Sequence, residues 1–220
     1  MASKEEILAQ LAQAVVDMDV EGVEAKCKEA LEAGIQAFEA ISAGLSAGMR
    51  RVGELWNNME IFMPEVMGSV DAYYAGLKIL KPQIKQNEKT EYIGTIVIGT
   101  IWGDIHSVGK DVAVPVFEGE NFRVIDLGLD VPAEKFIEAV KEYNPDIVGL
   151  GTYMSETFLH VEELVKEFQK AGIRDRVLVV CGGPAVDSEV AKKMGADDAW
   201  DDAWEAAEGM KRLLAQRSQK

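Results

Sequence analysis

The residues most able to do chemistry lie in one loop, within the sequence GTIWGDIHSVGKDVA at positions 99–113. Asp104 lies two residues before His106, and Gly109 lies three residues after it. A neutral imidazole is a good ligand for a transition metal. A carboxylate bonded to the other ring nitrogen would fix the tautomer and raise the basicity of the imidazole. This spacing alone is weak evidence, since a single loop histidine is more often structural. The other histidine, His160, is expected to be an exposed helical residue and not a second ligand.

The elements that must position this loop alternate between strand and helix after residue 91. The apolar runs TIVIG, DIVGLG and VLVV are typical of strands buried on both faces. Strands are predicted at 93–99, 123–127, 146–151 and 176–181, with a weak fifth near Ala199. Helices are predicted at 109–120, 133–143, 156–171, 188–194 and 203–214. This alternation predicts a doubly wound parallel sheet of the Rossmann-like or flavodoxin-like type. Ligands bind such sheets at the carboxyl ends of the strands, where His106 is expected to lie.

The residues before about 82 carry a different pattern, with the apolar period of helices and almost no strand signal. Four helices are predicted, at 4–16, 20–33, 35–56 and 64–80. Gly34 suits a helix C-terminus, and Pro64 suits the first turn of a helix. Short loops between the helices favour an antiparallel bundle. The predicted domains are therefore a helical bundle at 1–82, a polar linker at 83–91 and an α/β domain at 92–220.

Composition excludes several classes of partner. The formal net charge is −15, with 38 acidic against 23 basic residues, and no basic cluster stands out. Nucleic acid and anionic membrane surfaces are therefore not expected as partners. No apolar run of 18 or more residues predicts a membrane span, and MASKEEILAQ indicates a helix start rather than a signal peptide. Cys27 and Cys181 fall in different segments, which predicts reduced thiols and a cytoplasmic protein.

Three segments that follow predicted strands together resemble a known signature. They are Asp104-x-His106-x-x-Gly109, the sequence GLGTYM at 149–154 and the sequence GGP at 182–184. Their order and spacing are those of the B12-binding signature Asp-x-His-x-x-Gly, Ser-x-Leu, Gly-Gly. The chain resembles the corrinoid proteins of anaerobic methyltransferase systems and the cobalamin-binding module of methionine synthase. VIDLGLDVPAEKFIEA at 124–139 is also similar to that family, and the resemblance covers essentially the whole chain.

The resemblance implies a cofactor, cobalamin or a related corrinoid such as methylcobalamin, and a role for each matching residue. His106 would be the lower axial ligand of cobalt, in place of the dimethylbenzimidazole of the cofactor. Asp104 would hydrogen-bond His106, and Thr157 occupies the position of a hydroxyl that extends this arrangement. Gly109 and the pair Gly182 and Gly183 would let the backbone approach the nucleotide tail, although glycines alone would equally make tight turns. The loop residues expected at the cofactor are Gly103, Asp104, Ile105, His106, Ser107, Val108 and Gly109.

The second part of the signature departs from the family. Ser-x-Leu is replaced by Gly151, Thr152 and Tyr153, so both signature side chains are absent. In the family the serine bonds the displaced nucleotide base. Thr152, Ser155 or a water molecule could supply that hydroxyl here, or the pocket could accept a different lower base. Gly151, Thr152, Tyr153 and Ser155 are still expected at the cofactor.

The helical half also resembles the family. GELWNNMEIFMPEVM at 53–67 is similar to the cap segment of methionine synthase, where an aromatic and an aliphatic residue cover the upper face of the corrin. Trp56 and Met63 have the matching separation of seven residues. An apolar cap would keep water from the cobalt and protect Co(I). The alternative is that both residues belong to the bundle core, which is commoner for apolar residues on helices.

The function implied is that of a methyl carrier, with no substrate pocket or catalytic base apparent in the chain. It would accept a methyl group on Co(I) from a donor-specific methyltransferase and pass it to a second methyltransferase, whose acceptor is tetrahydrofolate or a thiol. A reductive activator is a further expected partner. A cobalamin-sensing regulator would need an effector region and a basic patch, which the sequence does not show. The B12 subunit of an adenosylcobalamin mutase and a flavodoxin-like domain for another ligand are also open. Methylamines, methanol, glycine betaine and aryl methyl ethers remain open as donors.

Overall fold

The helical pattern and the strand–helix alternation correspond to two separate units in the computed structural model, which describes residues 2–84 and 92–218. One unit comprises residues 1–91 with 118–121, and the other comprises residues 92–117 with 122–220. Most of the predicted linker, residues 85–91, lies outside the described residues. The linker and its bounds therefore stay a prediction.

The helical unit is built from helices that bury apolar side chains against one another. Ser3 begins the first helix with a capping box, in which its hydroxyl accepts from the Glu6 N–H and the Glu6 carboxylate accepts from the Ser3 N–H. The core includes Leu11, Val23 and Tyr73, each with no exposed surface. The elements are α1 Lys4–Val16, α2 Val20–Glu32, α3 Ala37–Ala40, a π-helical segment Ile41–Leu45, α4 Ser46–Asn57 and α5 Met63–Leu80.

The third predicted helix, 35–56, differs most from the structure in this unit. It begins at Ala37 and contains the π-helical segment Ile41–Leu45. Gly44 lies in that segment, where an added Cβ would stand 2.5 Å from Cδ2 of Leu11. The wider turn leaves the apolar period of the sequence almost unchanged, so the pattern alone could not reveal it.

The second unit is a five-stranded parallel sheet with helices between the strands. Its strand order is β2-β1-β3-β4-β5, and each pair of neighbours is parallel. The strands are β1 Gly94–Thr100, β2 Phe122–Asp126, β3 Ile147–Gly151, β4 Leu178–Gly182 and β5 Asp198–Trp200. The helices are α6 Val108–Gly119, α7 Ala133–Tyr143, α8 Ser155–Phe158, α9 His160–Lys170, α10 Ser188–Lys193 and α11 Ala203–Arg217. The predicted fold class, a helical N-terminal part followed by a parallel Rossmann-like sheet, is confirmed.

The sheet brings the loops that carry the signature to one edge. Every residue of β3 is buried, as expected for a strand covered on both faces. The last residues of the central strands are in register, with Thr100 beside Gly151 and Gly151 beside Gly182. The strand order reverses between β1 and β3, which is where doubly wound sheets bind ligands. The loops that follow β1, β3 and β4 therefore meet at this point.

Two helix bounds near this edge were predicted wrongly. The helix after β1 begins at Val108 and not at Gly109, because the N–H of Asp111 already donates to the carbonyl of Ser107. The helix predicted over 156–171 is two helices that separate at Leu159. Before that break, the Thr157 hydroxyl lies 3.0 Å from the carbonyl of Met154, a local bond of the kind that competes with helical pairing.

Two further features of the described residues bear on function. No helix among them is both long and apolar enough to cross a lipid bilayer. Cys27 and Cys181 are free and buried. Burial raises the pKa of each thiol to about 12, which leaves both largely protonated and weakly nucleophilic at neutral pH.

Candidate metal-binding and cofactor site

The loop between β1 and α6 is held by a short series of backbone contacts. Gly103 has a φ of +84°, a conformation that favours glycine, and its N–H donates to Oδ1 of Asp130 at 2.7 Å. The N–H of Asp104 donates to the carbonyl of Ile101 at 3.1 Å, and the N–H of Asp130 donates to the carbonyl of Asp104 at 3.0 Å. These bonds fix the direction in which Asp104 enters the protein.

Asp104 is the best-satisfied buried group of this edge. Its side chain has no exposed surface and accepts four hydrogen bonds. Oδ1 accepts from the backbone N–H and from Nδ1 of His106, at 3.0 and 2.8 Å. Oδ2 accepts from the N–H of Tyr153 and from the hydroxyl of Thr157, both at 2.8 Å. Burial by itself would raise the pKa of Asp104, but these bonds outweigh it and lower the pKa, so the group is a carboxylate.

His106 is held so that one ring nitrogen remains for a ligand. Asp104 as a carboxylate can only accept, so Nδ1 carries a proton, and in the neutral imidazole Nε2 keeps its lone pair. The side chain of His106 is 56% exposed. Its carbonyl accepts from the buried hydroxyl of Thr100 at 3.2 Å. In its neutral form the imidazole therefore has a fixed tautomer, with Nε2 as the nitrogen that could ligate a metal.

Thr157 completes a hydrogen-bonded series from a helix to the imidazole. The residue is 3% exposed, and its hydroxyl reaches Asp104 from the single turn of α8. We call Asp104, His106 and Thr157 the carboxylate relay. The structure thus brings together the three residues that the sequence analysis placed at the reactive centre. Their roles toward a metal stay predictions.

The second part of the site lies at the ends of β1, β3 and β4, where the ring of Tyr153 packs against three glycines. We call Gly109, Gly151, Tyr153 and Gly183 the switch-point crevice. A Cβ added at Gly109 would collide with the ring of Tyr153, and one at Gly151 would stand 3.2 Å from it. Gly183 has a φ of +129°, and an added Cβ there would collide with the carbonyl of Thr152. The ring of Tyr153 thus occupies space that the glycines leave open.

Polar groups near the crevice are unequally satisfied. The Thr152 hydroxyl is buried and has no hydrogen-bond partner within the described residues. Ser155, the other predicted source of a hydroxyl, is exposed at the start of α8. Burial and then the charge of Asp104 raise the pKa of Tyr153, so its phenol is neutral at physiological pH. Gly182 ends β4, and a Cβ added there would meet only the carbonyl of Trp200, at 3.9 Å, so this position has space for a side chain.

The surface around His106 fits a large, partly apolar cofactor. Within the described residues no three His, Cys, Asp or Glu side chains converge to hold a metal ion. A corrin supplies the equatorial ligands of its cobalt and needs only an axial ligand from a protein, which matches a single imidazole. Apolar side chains stand exposed on the loops of this edge, as expected where a flat apolar group binds. They are Trp102, Ile105, Val108, Leu129 and Leu159, between 39% and 74% exposed. Ser107 lies among them and precedes the first residue of α6.

Two contacts near the loop had no signal in the sequence. His160 Nδ1 lies 3.0 Å from the carbonyl of Trp102, and the two rings stack with centroids 4.9 Å apart. His160 is half-buried and supports the loop from α9, whereas a fully exposed residue was expected. Lys110, which is 4% exposed, places Nζ 2.6 Å from Oδ2 of Asp126 and so ties α6 to the end of β2. Both pairs join residues that are distant in sequence.

Trp56 and Met63 lie in the helical unit. Trp56 is half-buried near the end of α4, and Met63 is the first residue of α5 and 41% exposed. Neither belongs to the fully buried core, which was the alternative explanation for them. Their role as a cap stays a prediction.

Comparison with known proteins identifies the family. The sequence matches one B12 binding domain family over residues 94–208 and a second family of the same description over residues 7–81. It is 40% identical over 215 residues to the trimethylamine corrinoid protein of Methanosarcina barkeri, covering 97% of this chain and 99% of that protein.

Two solved structures are similar over nearly the whole chain. A cobalamin-binding protein from Desulfitobacterium hafniense DCB-2 is 30% identical with a TM-score of 0.70, over 93% of this chain and 97% of that one. The methanol:cobalamin methyltransferase complex MtaBC from Methanosarcina barkeri is matched with 27% identity and a TM-score of 0.82, over 97% of this chain and 81% of that one. The resemblance drawn from the motifs is confirmed, as is the corrinoid cofactor. The chain belongs to the family of B12-binding corrinoid proteins.

Proposed function

We propose that this protein is a corrinoid methyl carrier that holds its cofactor through His106. The observation that carries the proposal is the geometry of the carboxylate relay. The fully buried Asp104 holds the Nδ1–H of an exposed imidazole at 2.8 Å, so that Nε2 is left to ligate a metal. An isolated surface histidine would have neither a fixed tautomer nor a buried carboxylate behind it.

The relay residues divide the work of holding the ligand. When bound, the corrinoid supplies a cobalt atom that can take up a methyl group and give it away. His106 would hold the cobalt through Nε2. Asp104 orients the ring, and movement of the Nδ1 proton toward its carboxylate strengthens the imidazole as a donor. Thr157 holds Oδ2 of Asp104, so that the carboxylate cannot turn away from the ring.

The partners we propose are methyltransferases. One would methylate the loaded protein from a donor, and a second would pass the methyl group to tetrahydrofolate or a thiol, which returns the cofactor to its reduced state. A reductive activator would be needed only after accidental oxidation of the cofactor. The name of the trimethylamine corrinoid protein supports a methylated amine as the donor. The free thiols of Cys27 and Cys181 agree with a reducing compartment, for which we propose the cytoplasm.

Trp56 and Met63 are proposed as an apolar cap over the upper face of the cofactor. The support is their spacing, the resemblance of residues 53–67 to a known cap segment, and the incomplete burial of both side chains within the helical unit. Replacing Trp56 with Ala is expected to speed reoxidation of the reduced, loaded protein. An unchanged rate of reoxidation, followed by absorption after removal of the reductant, would count against the cap.

Reconstitution tests the proposed function. The apo protein is incubated with hydroxocobalamin, desalted, and assayed for retained corrinoid; the loaded protein is then offered a methylated amine with its methyltransferase. We expect retention near one corrinoid per chain. His106→Ala should lower affinity by more than the about 10- to 100-fold typical of an outer partner, because it removes the ligand itself. His160→Ala is the comparison variant, since it removes the only other histidine of the sequence. Because His160 supports the loop through Trp102, this variant should lower the affinity less than His106→Ala and still retain corrinoid. A wild-type protein that retains no corrinoid would overturn the proposal.

A further inference from the structure

The ring of Tyr153 occupies the place where a doubly wound sheet of this strand order binds its ligand. Tyr153 follows β3 at the point where the strand order reverses between β1 and β3. Its ring lies against Gly109 at the start of α6, in space that a side chain at position 109 would need. The same ring lies within 3.2 Å of the Cβ positions of Gly151 and Gly183. Three glycines therefore border a volume that a side chain of the protein now fills.

A second observation concerns a buried hydroxyl on the residue next to Tyr153. The hydroxyl of Thr152, the residue before Tyr153, is buried without a hydrogen-bond partner in the described part of the chain. Buried polar groups in native proteins almost always have a partner, so an exception calls for an absent group that supplies one. The backbone N–H of Tyr153 donates to Oδ2 of Asp104 at 2.8 Å, which ties the backbone but not the ring to the carboxylate.

We propose that Tyr153 is a placeholder that closes the switch-point crevice in the ligand-free protein and must swing out when the nucleotide tail of the corrinoid enters. The inference rests on the proposed function, because it assumes that His106 takes the axial position. If it does, the displaced base and its ribose phosphate need a place near His106. The ring centroid of Tyr153 lies 6.0 Å from that of His106, so the crevice is within reach of a tail that hangs below the corrin.

A placeholder weakens binding by a predictable amount. The apparent Kd equals the intrinsic Kd divided by the fraction of protein with the ring swung out. If that fraction is about 1 to 10%, typical of a minor state, removing the ring should tighten binding about 10- to 100-fold. The gain applies to a corrinoid with a tail. Cobinamide has the same corrin ring without the nucleotide tail, so its affinity should not change.

The test compares cobalamin and cobinamide on three forms of the full-length protein. Tyr153→Leu removes ring volume and keeps an apolar side chain, whereas Tyr153→Phe is the matched control that keeps the ring and removes only the hydroxyl. Affinities are measured by absorption titration, and folding is checked by circular dichroism and thermal unfolding of the apo proteins. We expect Tyr153→Leu to bind cobalamin at least about tenfold more tightly, with cobinamide unchanged. Tyr153→Phe should keep the wild-type ratio of the two affinities.

Three results would overturn the placeholder while leaving the carrier function intact. They are an unchanged cobalamin affinity in Tyr153→Leu, an equal gain for both corrinoids, and a Tyr153→Phe protein that behaves like Tyr153→Leu. The failure of the proposed function looks different, because then the wild-type protein binds neither corrinoid.

Discussion

The two halves of the candidate site differ in how complete they are without a cofactor. In the carboxylate relay both side-chain oxygens of the buried Asp104 are hydrogen-bonded, and together they accept from four donors. In the switch-point crevice an aromatic ring fills the volume that three glycines border, and the hydroxyl of the adjacent residue Thr152 has no partner among the described residues. The carboxylate relay is therefore complete without the cofactor, whereas the switch-point crevice is filled by a side chain of the protein.

This difference has a physical reason. A metal ligand must be held at a fixed distance and direction, and rigid buried hydrogen bonds provide that. A crevice for a large tail would be an open, partly apolar cavity in the apo protein, which lowers stability. Filling it with Tyr153 restores packing contacts. Substitution of a relay residue should therefore lower both the stability of the apo protein and its corrinoid affinity. Removal of the Tyr153 ring from the crevice should lower the stability of the apo protein but raise its affinity for cobalamin.

The largest effect is expected from Asp104→Asn. The amide keeps the shape but presents donors to groups that are themselves donors, so buried bonds are lost. We expect the apo protein to lose about 2–4 kcal/mol of unfolding free energy and corrinoid affinity to fall about 10- to 100-fold. Urea unfolding and absorption titration measure these quantities. The control is Asp130→Asn, an exposed residue that accepts one bond, with an expected loss below about 1 kcal/mol. Equal losses for the two variants would contradict the account.

The same variant has a predicted pH dependence. The folded-state pKa of Asp104 lies below its ordinary value of 3.8, so the unfolded chain binds its proton first on acidification. Its contribution to stability is complete above that ordinary value and is lost as the pH falls through the folded pKa. The difference in unfolding free energy between wild-type and Asp104→Asn apo proteins should therefore shrink below about pH 3.8. A difference that grows on acidification would have the wrong sign.

A smaller effect is expected at Thr157. Thr157→Val removes one buried hydrogen bond and should cost about 1–2 kcal/mol. It should also weaken corrinoid binding about tenfold, because Asp104 is held less firmly. Thr157→Ser keeps the hydroxyl and loses only a methyl group, so its corrinoid affinity should stay near that of wild type. If the serine variant loses as much affinity as the valine variant, Thr157 acts through packing and not through Asp104.

The smallest effect, and the one that separates the two halves most sharply, is expected at Thr152. Thr152→Val has nearly the same shape but removes a buried hydroxyl that lacks a partner in the described residues. Apo stability should stay equal or rise by up to about 1 kcal/mol, opposite in sign to Thr157→Val. Thermal unfolding of the two apo variants side by side gives the comparison. A Thr152→Val protein as destabilised as Thr157→Val would remove the distinction drawn between the two halves.

The bounds of several helices and the residues of the carboxylate relay could be predicted from the sequence, whereas the contacts of the switch-point crevice could not. Helix α1, Lys4–Val16, and helix α7, Ala133–Tyr143, have the predicted bounds, because local apolar period and capping residues determine them. The position of His106 at the carboxyl edge followed from strand alternation. The family resemblance predicted that Asp104, His106 and Thr157 lie together. They are close in the structure because the segments that carry them follow β1 and β3, which are neighbours in the sheet.

The contacts that the sequence could not predict depend on side chains from separate elements. The sequence predicts Tyr153 at the cofactor, as a departure from Ser-x-Leu, but not the contact of its ring with Gly109, which joins the segment after β3 to helix α6. The stacking of Trp102 on His160 spans 58 positions of sequence. The π-helical segment Ile41–Leu45 and the break at Leu159 change backbone hydrogen bonding without changing apolar period. The apolar period of the sequence predicts the helices and strands, but it contains no information about these contacts and local changes.

The central claim is that His106 and no other protein nitrogen ligates the cobalt, and electron paramagnetic resonance of the Co(II) state tests it most directly. Cobalamin carries a base nitrogen of its own, so a nitrogen splitting alone does not identify the ligand. The protein should therefore be prepared with nitrogen-15 histidine and loaded with unlabelled cobalamin. We predict that the triplet superhyperfine pattern of the unlabelled protein becomes a doublet, that His160→Ala preserves this change, and that His106→Ala abolishes it. A triplet that persists in the labelled wild-type protein would show that the cofactor keeps its own base, and would contradict the account.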